Sequence, residues 1–491
     1  MKRLAALVLL CLTVLVIAPA AAPASADAIV AGADTSLAQT IAGTELTVVI
    51  RSTPKVPAAL PVVVFAHQPV PDLTIALTVR STETGRVATG AVRLVRGRAG
   101  AYPAAIRVQE TGPHELELRA AREFSVLPFR VLVARASPWE FVIHGGLYAA
   151  GALLIGGMLT GGLARRASAA AVGGGAAIGV AAITVALLSS RLPPSLPDGA
   201  APAPPSPVAG RPYAMAAIHT TPERPVAGAE LVVRLDLVDG STGRPVDDLA
   251  VHHAAPAHLV ITSEDGAFFR HLHPLRTAPG RLEVRLRPDR PGRYLAYAEI
   301  ERDGSGGQLL QRRFTVAAAP GRPAVQDEPE PATAPGGLVA VAGTTPADEP
   351  GATPDAGATA DPSGAAGGPS AGPPGGFARP VTTPAPPVAG RPATIELDVG
   401  GGRLQPWLGM AGHLIVRDQD GGFMGHVHEM GSMAQTSAQP DEGSAVYEPR
   451  LRFTFSFPAP GRYLGWVQYA RDFRVVTVPF SVTVAPGDGA R

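Results

Sequence analysis

The sequence predicts a mainly β protein: three β-sandwich domains, a two-helix transmembrane hairpin after the first, and disordered Pro/Gly/Ala-rich linkers. Three observations carry this. Short runs alternating apolar and polar residues recur between Gly, Pro and polar turns, the pattern of strands with one buried and one wet face. Two of these regions share motifs, the mark of internal duplication. Two neighbouring stretches are apolar and uncharged over lengths that cross a bilayer of roughly 30 Å.

Met1-Lys2-Arg3, the apolar run Leu4 to Ala18 and Ala24-Ser25-Ala26 form the charged region, hydrophobic region and cleavage site of a secretory signal peptide, 1–26. The single cysteine, Cys11, falls inside it. A mature chain starting near Asp27 then has no thiol, which excludes disulfides, cysteine nucleophiles and thiolate metal sites. Residues 27–137 hold strand-like runs at Leu46 to Ile50, Leu60 to Phe65, Leu73 to Val79 and Ala104 to Val108, an antiparallel sandwich.

Residues 141–189 form the membrane hairpin, from Phe141 to Ala164 and from Ala167 to Leu188, with Arg165 and Arg166 in the connection. The positive-inside rule puts that connection in the cytoplasm, so all three β-domains face the extracytoplasmic side of the cell membrane. Gly157-x-x-x-Gly161 and Gly175-x-x-x-Gly179 have the spacing that lets helix backbones approach closely. Apart from His144 near the outer edge, neither span carries an intramembrane acid or base, so the hairpin reads as an anchor and not a pump.

After a Pro-rich linker, 192–210, a second sandwich is expected over 211–318, where Val233, Leu235 and Leu237 alternate with Arg234 and Asp236. A tract over 319–387, rich in Pro, Gly, Ala, Thr and Asp, cannot bury enough apolar surface to fold and is expected to be disordered. As a flexible coil it has an end-to-end distance on the order of 45 Å, which lets the last domain reach the second or another partner. The third sandwich, 388–486, alternates Leu451, Phe453, Phe455 and Phe457 with Arg452, Thr454 and Ser456. Duplication shows in Thr220-Thr221-Pro222 against Thr382-Thr383-Pro384, and in Pro291-Gly292-Arg293-Tyr294-Leu295 against Pro460-Gly461-Arg462-Tyr463-Leu464.

The chemistry lies in a repeated histidine triplet. His258, His271 and His273 recur at the same spacing as His413, His426 and His428, with Asp265-Gly266 and Asp420-Gly421 at the same internal place. Asp-Gly between β-prone runs predicts a hairpin with a two-residue type I′ turn. That turn sets His258 opposite His273 and His413 opposite His428. His271 and His426 lie two residues from their neighbours and share their faces. Each triplet therefore converges on one patch, at a separation that suits a metal ion held at about 2.0 to 2.1 Å.

Without thiolates, such a site suits a copper or zinc ion. Met410, Met424, Met430 and Met433 cluster around the second triplet; Met424, two residues before His426, should share its face and biases that site toward copper. The Ala-His-Leu, Asp-Gly, His-x-His-Pro hairpin followed by Pro-Gly-x-Tyr resembles small secreted bacterial β-sandwich domains loosely grouped as YtkA-like and copper-resistance proteins. The resemblance covers about 100 residues of each C-terminal domain. It implies an immunoglobulin-like sandwich and extracytoplasmic metal handling. The last domain departs from it at Gly412 and Glu429, and the mature end Asp27-Ala28 lacks the N-terminal histidine of the copper-resistance pattern.

A net charge of +1 without a basic stripe argues against nucleic-acid binding. No nucleophile elbow, P-loop or dinucleotide fingerprint is present, so no enzyme is expected; Glu429 beside His428 should point away from the histidine face. The partners expected are the bacterial membrane and other envelope proteins. The alternative reading is an envelope scaffold whose histidines are satisfied within the fold.

Overall fold

The computed structural model describes residues 33–135, 138–189, 196–201, 213–302, 305–320, 379–432 and 440–487. The signal peptide, most of both linkers and Met433 lie outside the described residues.

The first sandwich contains β1 (Thr35–Ile41), β2 (Thr44–Ile50), β3 (Ala58–Ala66), β4 (Leu73–Ser81), β5 (Val87–Leu94), β6 (Gly100–Val108), β7 (Gly112–Ala120) and β8 (Glu123–Val131). They form two antiparallel four-stranded sheets, ordered β1-β2-β3-β6 and β5-β4-β7-β8. Alternate residues such as Val62, Val64, Ile75 and Leu77 close the core between them. His67 and His114, isolated in sequence, are both buried.

The second sandwich runs through β9 (Ala214–Thr221), β10 (Leu231–Asp239), β11 (Ala257–Ser263), β12 (Phe269–Leu272), β13 (Leu275–Ala278), β14 (Arg281–Leu286), β15 (Gly292–Arg302) and β16 (Gly306–Val316). Its sheets are β13-β14-β10-β9 and β12-β11-β15-β16. The third has β17 (Val381–Thr383), β18 (Pro392–Asp398), β19 (His413–Asp418), β20 (Met424–His428), β21 (Arg450–Ser456), β22 (Gly461–Arg471) and β23 (Arg474–Val484), in sheets β17-β18-β21 and β20-β19-β22-β23. The two share one plan. Strand β17 lies before residue 388, because Thr382 pairs with Ile395 and extends the domain into what its sequence suggested was linker.

Between the first and second sandwiches stand α1 (Pro138–Leu159) and α2 (Arg166–Ser189), both long and apolar enough to cross a membrane. The close approach expected of the glycines occurs at Gly157 and Gly175. A Cβ on Gly157 would lie 2.8 Å from Val172, and one on Gly175 2.9 Å from the Ala150 carbonyl oxygen. Gly161 instead occupies the turn, at φ 137, beside Arg165. The chain entering the hairpin bonds the chain leaving it: Val133 N–H donates to Asp198 O (3.1 Å) and Asp198 N–H to Val133 O (3.0 Å).

The histidine-bearing sheets of the second and third sandwiches pack against each other. Each has two apolar faces. Leu259, Ile261, Leu272 and Ala296 enter the core of the second sandwich, while Val260, Phe269, Leu295 and Tyr297 face the third and meet Ile415, Met424, Leu464 and Trp466. Phe269 stacks on Trp466 at a centroid distance of 4.6 Å. The first sandwich closes one end: Thr40 N–H donates to His273 O (2.8 Å), and Phe65 stacks on Phe473.

Candidate metal centre

Both hairpins have the expected register and a different turn. His413 pairs with His428 and Ile415 with His426; Val260 pairs with His271 and Leu259 with Leu272. The connections are four residues long. Ser263 N–H bonds Phe268 O, Asp418 N–H bonds Phe423 O, and positive φ occurs at Gly266 (76°) and Gly421 (71°) without their aspartates. The type I′ assignment is therefore corrected to a loop with a single left-handed glycine. Ser263 hydroxyl and Ala267 N–H both donate to Asp265 Oδ1, and that carboxylate spans the added residues. The loop stays centred on Asp-Gly, so the cross-strand pairs are unchanged.

All six histidines lie on the outward faces that meet. His258, His273 and His413 are at most 2 % exposed and His271 is 7 % exposed. In the first triplet His258 Nδ1 lies 3.1 Å from His271 Nε2 and 3.2 Å from His273 Nε2. A tetrahedral ion with nitrogen ligands at about 2.0 to 2.1 Å sets those nitrogens about 3.3 Å apart. In the second, His413 Nδ1 lies 3.1 Å from His426 Nε2, and His428 completes a group whose ligand atoms lie within 4.8 Å of one another. The triplets adjoin, with ring centroids 5.1 Å apart for His271–His426 and 5.3 Å for His258–His426.

The outer nitrogens fix the tautomers. His258 Nε2 lies 3.0 Å from His252 O, and a carbonyl only accepts, so Nε2 carries the proton and Nδ1 the lone pair. His271 Nδ1 donates to Gln468 Oε1 (3.0 Å), whose amide is oriented by its own bond from Nε2 to Thr477 Oγ1 (3.0 Å). His273 Nδ1 donates to Glu45 Oε1. With each ring neutral, three lone pairs point into one space of hydrogen-bond dimensions. The second triplet repeats this at two of its three rings: His413 Nε2 donates to Trp407 O (3.0 Å) and His426 Nδ1 to the Glu299 carboxylate (2.9 Å). His428 Nε2 is buried with no hydrogen-bond partner among the described residues. Carboxylate, amide and carbonyl acceptors behind imidazoles are the outer partners that orient metal-binding histidines.

Burial favours the neutral form of His258, His271, His413, His426 and His428. His258, His271, His413 and His426 are pushed well below the ordinary histidine value by desolvation, with neighbouring imidazoles adding to it. His428 is lowered to about 4 by the same cause. Loss of water also pushes Glu299 up to about 7. A cation in the triplet would favour its ionised form.

Met424 shares the face of His426 but sits in the apolar cluster between the sheets, near Phe269 and Trp466. Met410 Sδ accepts from Ser432, and Met430 Sδ from Thr454. Glu429 accepts from Ser432 N–H (2.8 Å).

Glu45, Glu299 and Gln468 were not singled out by sequence reasoning, nor was the meeting of the two patches. A signal existed for two of them. Glu299 and Gln468 hold the same place in the duplicated strands, four residues after Leu295 and Leu464, as polar residues within apolar runs. His252 and His253, the extra histidines that precede the first triplet in sequence, also reach the second: His253 lies over His428 at a centroid distance of 3.5 Å, and with His258 the pair forms a further group able to hold a metal ion. A cleft of about 660 Å³, lined in part by Glu45, His67, His271, Trp407 and Gln468, reaches the first triplet.

Residues 216–320 and 379–486 match a domain of unknown function, DUF8832, which coincides with the two histidine-bearing sandwiches. No curated protein matches the chain. Among solved structures the chain is similar to a tetra-tandem repeat from the extending region of a large adhesion protein, at 8% identity over 92% of this chain and 74% of that one, with a TM-score of 0.16. It is also similar to trypsin-activated alpha-2-macroglobulin from Escherichia coli, at 8% identity over 94% of this chain and 24% of that one, TM-score 0.18. A third is Salmonella alpha-2-macroglobulin reacted with methylamine, at 11% identity over 87% of this chain and 22% of that one, TM-score 0.17. The chain spans about a quarter or less of the macroglobulins.

Proposed function

We propose that this chain is a membrane-anchored, extracytoplasmic protein that binds transition-metal ions at its two histidine triplets, copper or zinc being the ions that suit them. One observation carries the reading. Every outer ring nitrogen of the first triplet is committed to an acceptor, so the three inner nitrogens face one another as lone pairs at 3.1 and 3.2 Å. A scaffold whose histidines were satisfied within the fold would place a donor in that space. Imidazole-only ligation without thiolate fits Cu²⁺ and Zn²⁺ alike; the buried Met424 adds no separate argument for copper. The anchor rests on the two apolar helices, and the extracytoplasmic side on Arg165 and Arg166 between them.

Binding, and not hydrolysis, is the role proposed. What supports this is that the acid next to His428, Glu429, has its carboxylate engaged by Ser432 N–H. Calorimetric titration of Cu²⁺ and Zn²⁺ into the chelator-stripped chain, beside a His426→Ala/His428→Ala variant, tests the reading. Histidine-dependent uptake is expected; equal uptake by both proteins would remove the site assignment.

A further inference from the structure

We infer that the two triplets form one coupled two-ion centre, in which each domain orients the ligands of the other's ion, so that metal occupancy clamps the second sandwich to the third. This rests on the metal-binding reading above and adds a regulatory consequence to it. The observation is a reciprocal exchange. Glu299, on β15 of the second sandwich, pairs in register with His258 of its own triplet yet accepts from His426 of the other. Gln468, on β22 of the third, pairs with His413 of its own triplet yet accepts from His271 of the other. Neither middle histidine has its tautomer set within its own domain.

The exchange follows from the pseudo-two-fold arrangement of the duplicated sheets. An isologous contact makes each surface patch meet its own counterpart, so a residue that serves the partner is served by the equivalent residue in return. Tyr297 and Leu295 approach Gly421, and Trp466 and Leu464, their equivalents, approach Gly266. Separating the sandwiches would strip His271 and His426 of their acceptors together. An ion in one triplet thus stabilises the geometry that the other needs, and the coupling is reciprocal by linkage. Each triplet has one carboxylate behind it, but at a different ring: Glu45, from the first sandwich, behind His273, and Glu299, from the opposing sheet, behind His426, with only an amide behind His271.

The test uses the full chain in detergent, stripped with chelator and titrated with Co²⁺, read by native mass spectrometry and by the visible absorption of tetrahedral cobalt. Wild type should take two ions. With the second site emptied by His413→Ala and His428→Ala, one ion remains at His258, His271 and His273. In that background Gln468→Leu, a change in the opposite domain, should weaken the remaining ion by about tenfold or more and shift its absorption, and Gln468→Glu should restore both. Unchanged affinity and spectrum would overturn the coupling while leaving metal binding intact; no uptake by wild type would overturn metal binding itself. If Gln468→Leu fails to fold, Glu299→Gln with the first site emptied asks the same question of the other ion. An unchanged ion there would equally count against the coupling.

Discussion

Arg417 of the third sandwich is fully buried against the turn of the second, where its Nη2 donates to Ser263 O at 2.9 Å. The same guanidinium also reaches Glu264 O, Asp418 O and Gln419 O, so one side chain ties the hairpin loops of two domains together. The duplicate position is Thr262, and this contact breaks the pseudo-symmetry of the interface.

Replacing Arg417 with Met should therefore loosen the interface without disturbing either core. A loss of about 1 to 3 kcal/mol is expected from the carbonyls left without donors. Arg417→Lys should recover little, because a single ammonium cannot span four carbonyls as a planar fork does. Chemical denaturation of the three proteins measures this, and a fully stable Met variant would contradict it.

Metal addition should raise thermal stability by linkage, about 2.7 kcal/mol at a hundredfold excess over Kd, and chelator should reverse it. The shift should shrink when His258 and His271 are changed to Ala, and shrink again when His413 and His426 are changed too. Scanning calorimetry with and without Zn²⁺ reads both steps.

The stripped protein should be acid-sensitive. His258, His271, His413 and His426 have folded-state values well below 6.5, so the unfolded chain binds protons that the folded chain refuses. Stability is fully present above about pH 6.5 and falls as the pH drops below it, more steeply for several such groups than for one. Urea midpoints from pH 8 to pH 4.5 should decline accordingly; midpoints flat across that range would show the rings are not buried neutral.

Glu442 gives the opposite sign. Burial pushes its carboxyl up from 4.5 to about 8, with His67 3.6 Å away and Gly409 N–H donating to it. The folded state holds this proton more tightly than the unfolded one. Its contribution therefore favours folding at low pH and is lost as pH rises from about 4.5 to about 8. Glu442→Gln should match wild type near pH 4.5 and exceed it above pH 8. Parallel denaturation curves at the two pH values give the difference directly.

The histidine register was legible because it depends on local symmetry. A loop of four residues centred on Asp265-Gly266 pairs the same residues as a loop of two, so the wrong turn type left His258 and His271 where the spacing put them. The sandwiches were legible from alternation, as at Leu451 and Phe453, both now in the core. The union of the two patches was not. It joins His271 to Gln468 across 197 residues, through surfaces whose apolar residues on both faces of β11 and β19 do not say what covers the second face. Met424 shows the same limit: alternation gave its face, while its neighbours on the opposing sheet decided its surroundings.

The paired strands at the mouth of the helical hairpin have a practical consequence. Because Val133 and Asp198 already bond each other, the chain leaves for the helices and returns at one point. A few glycines in place of the whole insertion could bridge that gap without stretching either end. The result would be a detergent-free protein with all three sandwiches in their native order, suited to crystallisation and to metal titration in plain buffer.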